Sequence, residues 1–167
     1  MSFMALPPSP QPAAAPAPPV TTPGVIENDG WFPDIALVDM RDAMRLDGTV
    51  TDARLVIAVV NAILNVNREL AQWQGQHAQA GIASLADVPA TRINRESRLL
   101  AQYRRAVYST AKADLIERYR DYDSTATSLT DKKSMEWLDE APGAQRRNAQ
   151  WAIADIVGRS HLTVELI

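Results

Sequence analysis

One helical period dominates the middle of the chain. From Asp52 to about Ala80 the apolar residues Leu55, Val56, Val59, Val60, Ile63, Val66, Leu70 and Trp73 recur on one face, with Arg54, Asn61, Asn65, Arg68, Gln72 and Gln76 opposite. This pattern predicts an amphipathic helix about 40 Å long, with Thr51 as N-cap and Gly81 as its stop. A second segment of similar length follows the linker from Gly81 to Ile93, in which Pro89 discourages continuation. There Asn94 can cap a helix running to about Tyr122, and Leu99, Leu100, Tyr103, Ala106, Val107, Thr110 and Ala113 share one face. Two comparable amphipathic helices joined by a modest loop predict an antiparallel pair, its small residues allowing close approach.

The remaining elements are shorter. Asp34 can cap a helix carrying Leu37, Met40 and Met44, which Gly48 ends. Asp123 to Asp131 reads as a loop, and Lys132 to Glu140 as a short helix that Pro142-Gly143 interrupts. Trp151, Ile153, Ala154, Ile156 and Val157 predict a final helix ending at Gly158. His161 to Ile167 then alternates like a strand, and no other clear strand is expected. Such a strand either pairs with another subunit or protein, or remains a frayed or packed extended end.

At the other end, eight of the eleven prolines lie between Met1 and Pro23, a stretch without an ionisable side chain. It cannot build a core, and reads either as a disordered tail or as an extended arm held by a partner. The expected fold class is therefore all-α, a helical bundle built on a long antiparallel helix pair. The extended Pro-rich N-terminal tail spans residues 1–30, the helical domain residues 31–158, and the short C-terminal β-strand and tail residues 159–167.

Composition narrows the chemistry. Seventeen Lys and Arg against twenty Asp and Glu leave a net charge of -3, which disfavours a basic DNA clamp. With no cysteine, disulfides, thiolate metal sites and cysteine nucleophiles are excluded. His77 and His161 lack ligand spacing and read as structural residues. The stretch from Leu55 to Asn67 is too short to span a bilayer, so a soluble protein with no membrane partner is expected. There is no Gly-rich phosphate loop, no G-x-S-x-G elbow and no H-E-x-x-H pair. Asp121-Tyr122-Asp123-Ser124-Thr125 begins like a calcium loop, but Ala126 and Lys132 stand where glycine and glutamate are needed. No catalytic, cofactor or metal site is expected.

Three polar features remain. Arg95, Arg98, Arg105 and Lys112 fall within one part of the second long helix's wheel, either as a solvated face or as a grip for an acidic partner or phosphate. Asp114, Glu117 and Arg118 rotate onto the side occupied earlier by apolar residues. Either the helix end emerges into solvent, or these charges form intersubunit ion pairs. From Asp114 to Glu140, eight acids against four bases face either water or a lumen.

Several segments together resemble the phage head completion protein family, the L-protein type of Peduovirus-like contractile-tailed phages. The resemblance runs from about Trp31 to Ile167. It is carried by Trp31-Phe32-Pro33-Asp34-Ile35, Met44-Arg45-Leu46 with Thr49-Val50, Ala53-Arg54-Leu55 and Asn67-Arg68-Glu69-Leu70. Leu85-Ala86-Asp87-Val88-Pro89-Ala90, Arg105-Ala106-Val107, Glu117-Arg118-Tyr119-Arg120 and Trp151-Ala152 before Gly158 continue it.

The resemblance implies a non-enzymatic virion adaptor that joins the portal after DNA packaging, stabilises the filled head and presents a docking surface to neck or tail-completion proteins. It also implies a homo-oligomeric ring matching the twelvefold portal, assembled in the host cytoplasm, with packaged double-stranded DNA passing through the lumen. On that view Trp31 and Phe32 dock in a pocket within the ring. Leu162, Val164 and Leu166 augment a neighbouring sheet, and the basic helix face meets an acidic neighbour or the portal. The competing reading is a helical DNA-binding or packaging-regulatory protein that uses the Arg95 to Lys112 face.

Overall fold

The computed structural model describes residues 24–46, 48–123 and 142–161. In chain order the elements are β1 (Val25–Ile26), β2 (Ile35–Ala36), α1 (Leu37–Met44), α2 (Asp52–Gln79), a 3-10 turn (Leu85–Asp87), β3 (Arg92–Ile93), β4 (Glu96–Ser97), α3 (Arg98–Asp123) and α4 (Pro142–Val157). The described residues are mostly helical. α3 is the central element, packing most extensively against α4 and next against α2.

The expected helix over 52–80 is α2, and its boundaries follow from backbone chemistry. Thr51 is extended at the N-cap position, though its side chain makes no capping bond, and Asp52 places a carboxylate at the positive end of the helix. At the other end Gly81 takes φ +84, which lets its N–H reach the Ala78 carbonyl at 3.0 Å and the Ile82 N–H reach the His77 carbonyl at 3.1 Å. These two bonds satisfy carbonyls that the last turn leaves open. Leu55, Val59, Ile63, Val66 and Leu70 are buried as expected, joined by Ala58 and Ala62. Val60 is not: it turns outward with Ile57 and Leu64.

Several expectations are corrected. α3 begins at Arg98 rather than Asn94, because Asn94 and Arg95 both adopt left-handed φ, at 50° and 64°. Two such residues in succession form the tight turn that suits a two-residue hairpin. They join β3 to β4, with Arg92 opposite Ser97 and Ile93 opposite Glu96. A second antiparallel pair sets Val25 opposite Ala36 and Ile26 opposite Ile35, so the chain holds strands outside its C-terminal segment.

Asp34 does not cap α1; its Oδ1 accepts the Asn28 N–H at 2.8 Å and Ala36 occupies the cap position. α1 stops at Met44, before Gly48, where Arg45 turns left-handed at φ 53. Pro142 opens α4, since the first helical position needs no N–H donor. Gly158, at φ 72, closes α4 as expected. The expected N-terminal arm up to Pro23, the segment 124–141 and the expected strand from Leu162 to Leu166 lie outside the described residues.

The core runs from Ile26 and Phe32 through Met40, Leu55, Val66, Leu85, Tyr103 and Ile116 to Ile156. Beyond Tyr103, burial spreads around α3: Ala106, Val107, Tyr108, Ser109, Ala111, Lys112, Ala113, Leu115 and Ile116 are all buried. An amphipathic helix buries one stripe, so burial on this breadth means that α3 is enclosed from more than one side.

Candidate interaction surface

The segment before α1 folds onto the two long helices through a closed set of polar bonds. Asn28 Nδ2 donates to Tyr103 Oη at 2.8 Å, Tyr103 Oη donates to Asn67 Oδ1 at 2.6 Å, and Asn67 Nδ2 donates to Asn28 Oδ1 at 2.9 Å. This ring ties the entry segment to α2 and α3 at one point. Burial pushes the Tyr103 phenol well above its ordinary pKa, because a phenolate there would lose its hydration, and the bond to Asn28 offsets this in part. Asp29 Oδ1 accepts the N–H groups of Trp31 at 3.0 Å and Phe32 at 2.9 Å, and Asp29 Oδ2 accepts from Gln74 Nε2 at 3.0 Å. A short carboxylate side chain thus holds the turn that aims both rings inward.

Trp31 and Phe32 are therefore interior residues of their own chain rather than side chains presented to a neighbour. Phe32 stacks on Tyr103 with ring centroids 4.7 Å apart, and Trp31 meets Phe32 at 4.8 Å and Trp73 at 5.8 Å, both edge to face. The indole Nε1 of Trp31 donates to the Ile82 carbonyl at 3.1 Å. With both residues buried, neither ring is left on the surface for a ring-pocket contact.

The four basic residues do not form one face. Arg95 lies in the β3–β4 turn, outside the helix, while Arg98 and Arg105 are exposed two turns apart on α3. Lys112 is only 4 % exposed and is engaged by other groups, because the enclosure of α3 reaches that face. Of the histidines, His77 meets the Trp73 ring at 4.3 Å, and His161 stacks on Trp151 at 5.4 Å with its Nε2 2.9 Å from Asp155 Oδ1. Among the described residues no cluster of His, Cys, Asp or Glu is arranged to hold a metal ion, and no helix is long and apolar enough to cross a membrane.

The charges at 114–118 find partners within the chain. Asp114 Oδ1 accepts from Arg118 Nε at 3.0 Å, and Glu117 Oε2 accepts from Arg146 Nη2 of α4 at 2.6 Å. Beside them a groove of about 430 Å³ opens between α2, α3 and α4. Ala58, Ala62 and Leu64 supply its apolar lining, and Arg68, Arg118 and Arg146 its cations. Arg68 Nη2 bonds the neutral Asn65 amide oxygen at 2.9 Å. Asp114 also lines the groove, and its second carboxylate oxygen, Oδ2, is buried without a hydrogen-bond partner among the described residues. Along the outer edge of α2, Ile57, Val60 and Leu64 form an exposed apolar stripe, with Leu64 62 % exposed.

Sequence reasoning missed this surface. The helical period was legible, but a smooth period does not say which margin of a broad apolar stripe faces outward. The spacing of Ile57, Val60 and Leu64 was the available signal.

The comparisons with known proteins agree on one family. The model of the family described as "Phage head completion protein (GPL)" matches residues 26–167. The "Head completion/stabilization protein" of Escherichia phage P2 is 40 % identical over 143 residues, covering 86 % of this chain and 83 % of that protein. The "Probable head completion/stabilization protein" of Haemophilus phage HP1 (strain HP1c1) is 26 % identical over 127 residues, covering 73 % and 83 %. No solved structure matches the chain. A family match over nearly all residues beyond the Pro-rich segment, together with that level of identity, means that this chain belongs to the phage head completion protein family.

Proposed function

We propose that the chain completes and stabilises the head of a tailed phage as a structural component of the virion. Copies assemble as a ring on the portal after DNA packaging, in twelvefold register with it, and present a docking surface to the next neck or tail-completion protein. The observation that carries this reading is the 40 % identity to a head completion/stabilization protein over most of both chains. The surface fits an adaptor: the aromatic anchors are spent inside the fold, while an apolar stripe and a groove remain on the outside of α2. Arg98 and Arg105, both exposed on α3, remain candidates for an acidic partner on the portal. With a net charge of -3 the chain has no electrostatic grip on the DNA backbone, which suits a component that lets the genome pass.

The test is complementation. Phage lacking this protein should package DNA yet yield heads that lose it and fail to join tails, and supplying the chain in trans should restore both. Stable, tail-competent heads made in its absence would overturn the proposal. The competing DNA-binding role predicts a gel shift by the isolated chain that weakens steeply with salt. The adaptor role predicts no shift at either low or moderate salt.

A further inference from the structure

We infer that the groove between α2, α3 and α4 receives the segment Leu162–Ile167 of a second copy of this chain. The inference deepens the self-assembly reading above and rests on it. Two features of the groove define its occupant: an apolar ridge of Ile57, Val60 and Leu64 along one margin, and a cation at Arg68 whose described bond goes to a neutral amide. An occupant must therefore bring apolar side chains and an acid.

Leu162–Ile167 offers that combination in six residues. Leu162, Val164 and Leu166 alternate with Thr163 and Glu165. In an extended chain the first three fall on one side and the other two on the opposite side. The apolar side covers the Leu64 ridge, and the Glu165 carboxylate meets the Arg68 guanidinium.

The path of the chain selects a second copy over the first. After Gly158 the backbone reverses, with the Arg159 N–H on the Ala154 carbonyl at 2.9 Å, and His161 seats against Trp151 and Asp155. His161, the last described residue, therefore lies on the Trp151 flank of α4. Arg146 lines the groove, and Gln150, which bonds Glu69 of α2 at 3.2 Å, is on its side. At about 100° per residue these two flanks of α4 are roughly 140° apart. A chain filling its own groove would have to cross over α4, whereas a neighbour's segment enters without crossing anything. Giving a segment on one flank and receiving one on the other is a head-to-tail contact, the kind that closes into a ring.

The chain has no cysteine, which makes cross-linking clean. A full-length Asn65→Cys copy is mixed with a full-length Thr163→Cys copy of different mass, free in solution and on filled heads, and oxidised. The inference expects a disulfide between the two copies. Its yield should fall about fivefold when Arg68→Glu is added to the first copy and recover when Glu165→Arg is added to the second. A chain carrying both cysteines that closes on itself as a monomer would overturn the inference, as would a cross-link indifferent to Arg68→Glu. Multimers of the unaltered chain, seen by sedimentation or on heads, without the cross-link would overturn the docking inference alone. A chain that stays single both in solution and on filled heads would overturn the self-assembly reading with it.

Discussion

At Tyr103 a single hydroxyl closes a ring of three hydrogen bonds in which each side chain serves as both donor and acceptor. Replacing Tyr103 by Phe keeps the ring that stacks on Phe32 but removes the hydroxyl, leaving the Asn67 acceptor without its donor. The expected loss is about 1–3 kcal/mol of unfolding free energy, read from urea denaturation. The same substitution has a signature in alkali. Because the folded phenol titrates above the unfolded one, its contribution is complete below the unfolded value of about 10 and is lost as pH rises beyond it. The native chain should lose stability above that pH more steeply than Tyr103→Phe, in which Tyr108, likewise raised by burial, still contributes. Trp31→Ala removes a buried indole and its bond to Ile82, so about 3–5 kcal/mol should go. An unchanged urea midpoint would instead mean that Trp31 sits outside the core.

Among the elements, the β3–β4 hairpin shows how a short local geometry overrides a long pattern. Helical spacing continues backward from Leu99, but two successive left-handed residues cannot belong to a right-handed helix. Arg95 occupies that conformation at a steric cost that glycine avoids. Arg95→Gly should therefore leave the fold intact and raise the urea midpoint, by about 0.5–1 kcal/mol in stability, even though glycine in a helix would lower it. A drop in stability would place Arg95 in a helix after all. Between α3 and α4 the ion pair of Glu117 with Arg146 is substantially exposed on both sides. Arg146→Ala should change stability by less than about 1 kcal/mol, a difference that 0.5 M salt should largely erase.

For the whole molecule, the boundary of the folded unit lies earlier than residue 31. Val25 and Ile26 pair with β2, the Gly24 carbonyl accepts the Leu37 N–H at 3.0 Å, and Asn28 and Asp29 hold Tyr103 and the inward turn. A chain shortened by residues 1–30 should be several kcal/mol less stable than one shortened by 1–23, because the difference comprises these bonds and the burial of Ile26. Thermal denaturation of the two truncations measures it. Equal midpoints would assign residues 24–30 no part in the fold. For assembly experiments on the Pro-rich arm, the informative cut is therefore after Pro23.

Local chemistry alone determined much of this protein. The apolar period over 55–70 and the stops at Gly81 and Gly158 arise from interactions a few residues apart, and the family is legible in short words such as Trp31-Phe32-Pro33-Asp34. Tertiary structure decided what those elements face. It drew Trp31 and Phe32 inward, covered Lys112, paired Glu117 with Arg146, and turned Ile57 and Leu64 outward. The reason is that burial belongs to the arrangement of helices rather than to any one of them. Periodicity places a side chain on a face, but only the neighbour packed against that face determines whether it meets protein or water.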